Sequence, residues 1–168
     1  NLAGTLHARG DLEGAQTYYE RVLKAETRIL GPEHPDTLTS MNNLALTLSG
    51  RGDLEGAQRY GERVLEARTR ILGAEHPGTL TSMNNLAETI KARGDLEGAQ
   101  RYEEHVLEAR TRILGPEHPD TLTSMNELAA TLRDLKKLDS ALELFVSALT
   151  IRERVEGGEE PNTITTRA

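Results

Sequence analysis

Apolar residues in this chain recur at steps of three and four, pause over a short polar stretch, and then recur again. Leu38, Met41, Leu44, Ala45 and Leu48 fall on one stripe of a helix, because 3.6 residues complete a turn. Pro35, with Asp36 and Thr37 beside it to meet unpaired amides, predicts where that helix begins. Gly50, Arg51 and Gly52 predict its end, Gly52 being suited to the left-handed turn past a helix terminus. Asp53 then predicts a cap for a second helix with Leu54, Ala57, Gly61, Val64, Arg68 and Ile71 on its stripe, stopped by Gly73. Gly56 and Ala57 predict close approach of the two helices, at a propensity cost of about 1 kcal/mol for the glycine. Glu66 and Arg70, like Glu108 and Arg112, lie four apart in the order that favours an ion pair along one helix.

The same text returns. Residues 30–45 recur at 72–87 and 114–129, with a worn copy from Glu156, so the period is 42 residues. A second block, residues 51–58, recurs from Arg9 and Arg93. Helices are expected over 1–9, 12–30, 36–51, 54–72, 78–93, 96–114, 120–135, 138–156 and 161–168. Short links force each pair antiparallel, and neither helix hides its stripe alone, so each unit must cover the next. The expected fold is all-α, a single solenoid over 1–168 with units at 1–34 (partial), 35–76, 77–118 and 119–160 and a further helix starting at 161–168. Asn1 falls by phase in mid-helix, which suggests a piece excised from a longer array. The fourth unit departs: Leu135, Lys136, Lys137 and Leu138 replace the Gly-Asp link, and Leu142, Leu144, Phe145 and Leu149 replace smaller or more polar residues, as near an array end.

Charge narrows the partners. The net charge of −7 and pI near 5.3 argue against nucleic acid and anionic membranes. No cysteine is present, which removes disulfides and thiolate metal sites and suits a reducing, cytoplasmic setting. No run approaches the roughly 20 apolar residues that cross a bilayer.

Met41, Leu44, Ala45, Leu48, Gly52, Ala57 and Val64, in a helix-turn-helix rhythm, resemble the tetratricopeptide repeat. The 42-residue length, with Leu-Gly-x-x-His-Pro followed by Asn-Asn-Leu-Ala, resembles the kinesin light chain variety. The resemblance covers essentially the whole chain and implies a right-handed superhelix in which the first helix of every unit lines a concave groove. Carried over by position, it places Thr39, Asn42, Asn43, Leu46, Ser49 and Gly50 in the groove, then Thr81, Asn84, Asn85, Glu88, Lys91 and Ala92, then Thr123, Asn126, Glu127, Ala130, Arg133 and Asp134. Residues 37–78 and 79–120 differ at eight aligned places, and three of these, 46/88, 49/91 and 50/92, map to the groove. The position where the family's second helix carries an aromatic holds Tyr19, Gly61, Glu103 and Phe145, so a looser or partly wet interior is expected in the middle units. A clamp for a C-terminal carboxylate needs Lys and Arg where this chain has Thr81 and Asn85, or Thr123 and Glu127, which argues against a chaperone-tail ligand.

Among the candidate residues, Asn42, Asn43, Asn84, Asn85 and Asn126 offer both donors and acceptors, so they either satisfy the backbone of an extended peptide or tie neighbouring helices together. His34, His76 and His118 recur between Glu and Pro, but residues one layer apart cannot share an ion whose ligands lie near 2.0 to 2.2 Å. A role at the helix start fits them better. Lys91 and Arg133, with Arg51 and Arg93 at the rim, either receive an acidic peptide or are solvated charge. Tyr18, Tyr60 and Tyr102 flank the second-helix stripe, where packing is expected rather than a stacking platform for nucleic acid, which would want basic neighbours. No nucleophile stands with a base and an orienting acid, and no glycine-rich phosphate loop is present. The expected function is a noncatalytic scaffold, without cofactor or metal, that binds a protein or peptide in its groove as part of an adaptor or signalling protein. The alternative is an architectural module that associates with itself end to end.

Overall fold

The structure, a computed structural model of the chain, describes residues 11–157. Among them are seven helices and no strand: α1 (Leu12–Ile29), α2 (Pro35–Gly50), α3 (Leu54–Leu72), α4 (Pro77–Ala92), α5 (Leu96–Leu114), α6 (Pro119–Asp134) and α7 (Leu138–Gly157). Every boundary lies within one residue of the spacing-based expectation. The helices expected over 1–9 and 161–168 lie outside the described residues.

Two capping devices alternate. At the odd-numbered helices α1, α3 and α5, the Oδ1 atoms of Asp11, Asp53 and Asp95 accept from the amides of Gly14, Gly56 and Gly98 at 2.9, 2.9 and 2.7 Å. A Cβ on these glycines would stand 2.2 to 2.5 Å from the cap carboxylate. The missing side chain of Gly56 thus makes room for its own cap rather than for a partner helix, which corrects the close-approach expectation at that residue. Ala57, fully buried, does lie in the helix interface. At α2, α4 and α6 the cap is a histidine: Nδ1 of His34, His76 and His118 accepts from the amides of Asp36, Gly78 and Asp120 at 3.2, 3.0 and 3.1 Å. Proline follows at the first helical position, where it has no amide to leave unpaired. That use of Nδ1 as acceptor leaves the ring proton on Nε2.

The chain divides into two compact bodies, the first ending at Tyr102 and the second beginning at Glu103. In the first, α1 packs on α2, α2 on α3 and α3 on α4, and α2 also touches α4. Tyr19, Leu23, Met41, Leu44, Leu48, Ala57 and Val64 form one core, flanked by Tyr18 and Tyr60. Leu86, Ala87, Ile90 and Ala99 form another, against Leu65 and Tyr102. In the second body α6 packs on α7 through Leu128, Leu132 and Ala141, with Leu107 and Leu144 alongside. Burying these stripes is what holds helices of this length in place, since each is only marginally stable alone.

The first-helix stripe is buried as its spacing predicts. The second-helix stripe is shorter than expected: Ala57 and Val64 are buried, but Ile71 is 47% exposed near the helix end. Arg70 makes its ion pair with Glu33 of the preceding loop, Glu66 adding a weaker electrostatic attraction along the helix. Arg154 pairs with Glu117 in the same relation as Arg70 with Glu33. Nor is the interior loose at Gly61, where Leu86 fills the space, its Cδ1 lying 3.2 Å from where a Cβ would stand. Glu103, at the aligned place, is only 1% exposed, and its Oε1 accepts from the Thr131 hydroxyl at 2.9 Å. In the sister units that threonine bonds the carbonyl four residues back instead, Thr47 to Asn43 and Thr89 to Asn85.

Candidate functional site

The groove candidates share one property: none is buried, while the residues between them on the same helices are, save the half-buried Met125. On α2 the half-buried or exposed Thr39, Asn42, Asn43, Leu46 and Ser49 stand opposite Leu38, Met41, Leu44, Ala45 and Leu48. On α4 the same holds for Thr81, Asn84, Asn85, Glu88 and Lys91, and on α6 for Thr123, Asn126, Glu127, Ala130 and Arg133.

Many of their polar atoms already have partners. Asn85 Nδ2 donates to Asn42 Oδ1 at 3.1 Å, joining α4 to α2, so these two amides tie neighbouring first helices together. The hydroxyls of Thr39, Thr81 and Thr123 each donate to the carbonyl of Pro35, Pro77 and Pro119 at 2.9 Å. Arg133 donates through Nε and Nη2 to Asp134 Oδ1 at 3.2 and 3.0 Å. The rim arginines are also engaged, Arg51 with Gln16 and Arg93 with Gln58, which secures the link between two helices to the helix before them. Fewer guanidinium donors are therefore left for an acidic ligand, and the Arg133 charge is offset by Asp134.

Two residues that the apolar pattern assigned to no site organise the start of these helices. Arg68 Nη1 donates to Ser82 Oγ at 2.8 Å and to the Gly78 carbonyl at 3.0 Å, and its Nη2 reaches Thr39 Oγ1 at 3.5 Å. Burial holds its guanidinium below the ordinary arginine range. Arg110 Nη1 repeats the arrangement with Ser124 Oγ at 2.8 Å and the Asp120 carbonyl at 3.2 Å. An arginine on an apolar stripe with a serine fourteen residues ahead, repeated at the period, was the legible sign. One period earlier the place belongs to Glu26, which lines a cleft of about 280 Å³ with Tyr18, Tyr19, Val22, Asp36, Thr39, Ser40 and Asn43.

Among the described residues no helix is long and apolar enough to cross a membrane. A model of the tetratricopeptide repeat family matches residues 1–70, 51–112 and 85–154. No curated protein matches the sequence. Among solved structures, a putative kinesin light chain from Podosopora anserina with nearly identical TPR-like repeats is 29% identical, with a TM-score of 0.80, over 92% of this chain and 74% of that one. BtubC (BKLC) from P. vanneervenii is 24% identical, with a TM-score of 0.85, over 99% of this chain and 66% of that one. The apo form of RapI is 14% identical, with a TM-score of 0.77, over 92% and 54%. At those identities the last two show the fold alone.

Proposed function

The chain belongs to the tetratricopeptide repeat family, of the kinesin light chain-like kind, and from that premise we propose that it is a noncatalytic scaffold binding an extended peptide or partner helix along the exposed faces of its first helices. Repeats of this family commonly mediate protein-protein interaction and are typically noncatalytic. The observation that carries the reading is where near-identical repeats stop being identical. Of eight differences between residues 37–78 and 79–120, three fall together on the last turns of the exposed faces of α2 and α4. Packing explains none of Leu46/Glu88, Ser49/Lys91 and Gly50/Ala92, since none of the six is buried. A face on which three such differences gather within one stretch of helix, none of them demanded by packing, is suited to recognising a partner.

The test is selection from a random peptide library against the full chain, followed by Leu46→Lys together with Glu88→Lys. Both sites are exposed, so helicity and melting should be unchanged while affinity for the selected peptides falls about tenfold or more, as when hydrogen-bonded or apolar contacts are lost. Equal affinity would remove the reading. A second reading, self-association, is favoured by one observation: α7 exposes Leu138, Leu142, Val146 and Leu149 along one side.

A further inference from the structure

Three places related by the repeat carry the same lock with different keys. The second turns of α4 and α6 each hold a buried serine, Ser82 and Ser124, beside a helix-start carbonyl, of Gly78 and Asp120. An arginine from the preceding second helix fills each, Arg68 and Arg110, with Nη1 at 2.8 Å from the serine hydroxyl. The second turn of α2 has the same buried serine, Ser40, but the residue one period before Arg68 is Glu26. The preceding helix therefore brings no guanidinium to Ser40.

What stands there instead is acidic. Glu26 Oε2 is shielded from solvent and has no hydrogen-bond partner among the described residues. A carboxylate oxygen withdrawn from water without a donor is costly, and the cost is recovered when a cation arrives. Glu26 lines an open cleft with Asp36, Ser40, Thr39 and Asn43, and none of the lining residues is basic. Tyr18 and Tyr19 close one side with their rings, set edge to face at 6.2 Å. Aromatic rings and the Glu26 carboxylate on α1, with the Asp36 carboxylate and the hydroxyls of Thr39 and Ser40 on α2, suit a flat, charged guanidinium.

We propose that this cleft receives an arginine side chain of the bound peptide, which takes the place that Arg68 and Arg110 occupy in the sister repeats. This rests on the groove reading, because Thr39 and Asn43 belong to both the cleft and the peptide-binding face. It adds a requirement that reading lacks: the ligand carries a basic residue where it passes the N-terminal half of α2.

The probe is the capped pentapeptide acetyl-Ala-Ala-Arg-Ala-Ala-amide, titrated into the isotope-labelled full chain and followed by amide shifts. The amides of Glu26, Thr39, Ser40 and Asn43 should shift and saturate. The same peptide with neutral citrulline for arginine should bind about tenfold more weakly or worse, the loss expected when charge-assisted hydrogen bonds are removed. Glu26→Arg should abolish the shifts by supplying the guanidinium from within, and Glu26→Gln should weaken them while the chain stays folded. Absence of saturating shifts at these amides, or equal shifts in Glu26→Arg, would overturn the proposal. Library peptides that bind without enrichment in arginine, and lose affinity only through Leu46→Lys and Glu88→Lys, would overturn the cleft and leave the groove standing. A saturating arginine probe with no library peptide bound would support the cleft and discard the groove.

Discussion

Thr79 and Thr121 hold the same place in successive repeats, both buried, and yet only one hydroxyl is satisfied. Thr121 Oγ1 donates to the Gly115 carbonyl at 2.9 Å, whereas Thr79 Oγ1, like Thr37 Oγ1, has no partner among the described residues. Replacing an unsatisfied hydroxyl by a methyl removes a desolvation cost, while replacing a bonded one removes the bond as well. Thr79→Val should therefore be neutral or stabilising, and Thr121→Val should cost about 0.5 to 1.5 kcal/mol, read from urea midpoints. If both lose stability equally, Thr79 has a partner in solution. Ala57, fully buried against the α2 stripe, tests packing at the same scale: Ala57→Leu should overpack the pair by about 1 to 3 kcal/mol. An unaltered denaturation midpoint would place Ala57 outside the interior. Burial of this kind was legible in the sequence because spacing alone decides which side of a helix is hidden. The partners of Arg68 were not, because its aliphatic stem runs along the stripe while its head group reaches ten and fourteen residues ahead, around a helix end. For the same reason the bond between Asn42 and Asn85 was one of two open alternatives, since 43 residues separate them and only the distance between α2 and α4 decides whether the amides meet.

Helix boundaries followed from local chemistry, which is why they fell where the sequence placed them. Asp11, Asp53 and Asp95 act within three residues of themselves, and so do the histidine caps. The spacing of His34, His76 and His118 before proline pointed to a helix start, but not to Nδ1 as the acceptor. The links between first and second helices also turn on one residue. Gly52 and Gly94 take positive φ values of 86° and 93°, which spares a side chain the left-handed conformation. In the third link Lys136 occupies that place with φ 64°. Its amide still donates to the Arg133 carbonyl at 3.0 Å, and that of Lys137 to Leu132 at 2.9 Å, matching Gly52 to Ser49 and Asp53 to Leu48. The turn is thus kept and the lysine bears the strain, about 1 kcal/mol for a residue with a Cβ. Lys136→Gly should raise the stability of the chain by an amount of that order, with the helix content unchanged. Loss of stability instead would mean that the lysine side chain contributes more than its backbone costs.

A repeat chain is stabilised unit by unit, so its behaviour as a whole molecule depends on faces that no repeat covers. In α7 the side bearing Leu138, Leu142, Val146 and Leu149 is open, with Leu142 62% and Val146 53% exposed. Leu138 and Leu149 have leucines at the aligned places of α3 and α5, but Leu142 and Val146 align with Gln58 and Glu62 of α3 and with Gln100 and Glu104 of α5, so at these two places the apolar character belongs to this helix and not to the repeat. Gln58 has a task, bonding Arg93 of the following link, and also holds Glu62 through its amide at 2.7 Å. Leucine and valine at the same places can do neither and gain only by being covered, which sets the two readings of the molecule against each other. If a second copy covers α7, sedimentation of the full chain should show a dimer whose population rises with concentration. Leu142→Gln with Val146→Glu, which restores the residue types of α5, should return the chain to a monomer with the same helicity. Peptide capture on the faces of α2 and α4 should survive that change, because the substituted residues lie on a different helix. A monomer at every concentration before substitution would remove self-association as a function of this face, while peptide capture lost along with the dimer would make the assembly, rather than the single chain, the binding unit.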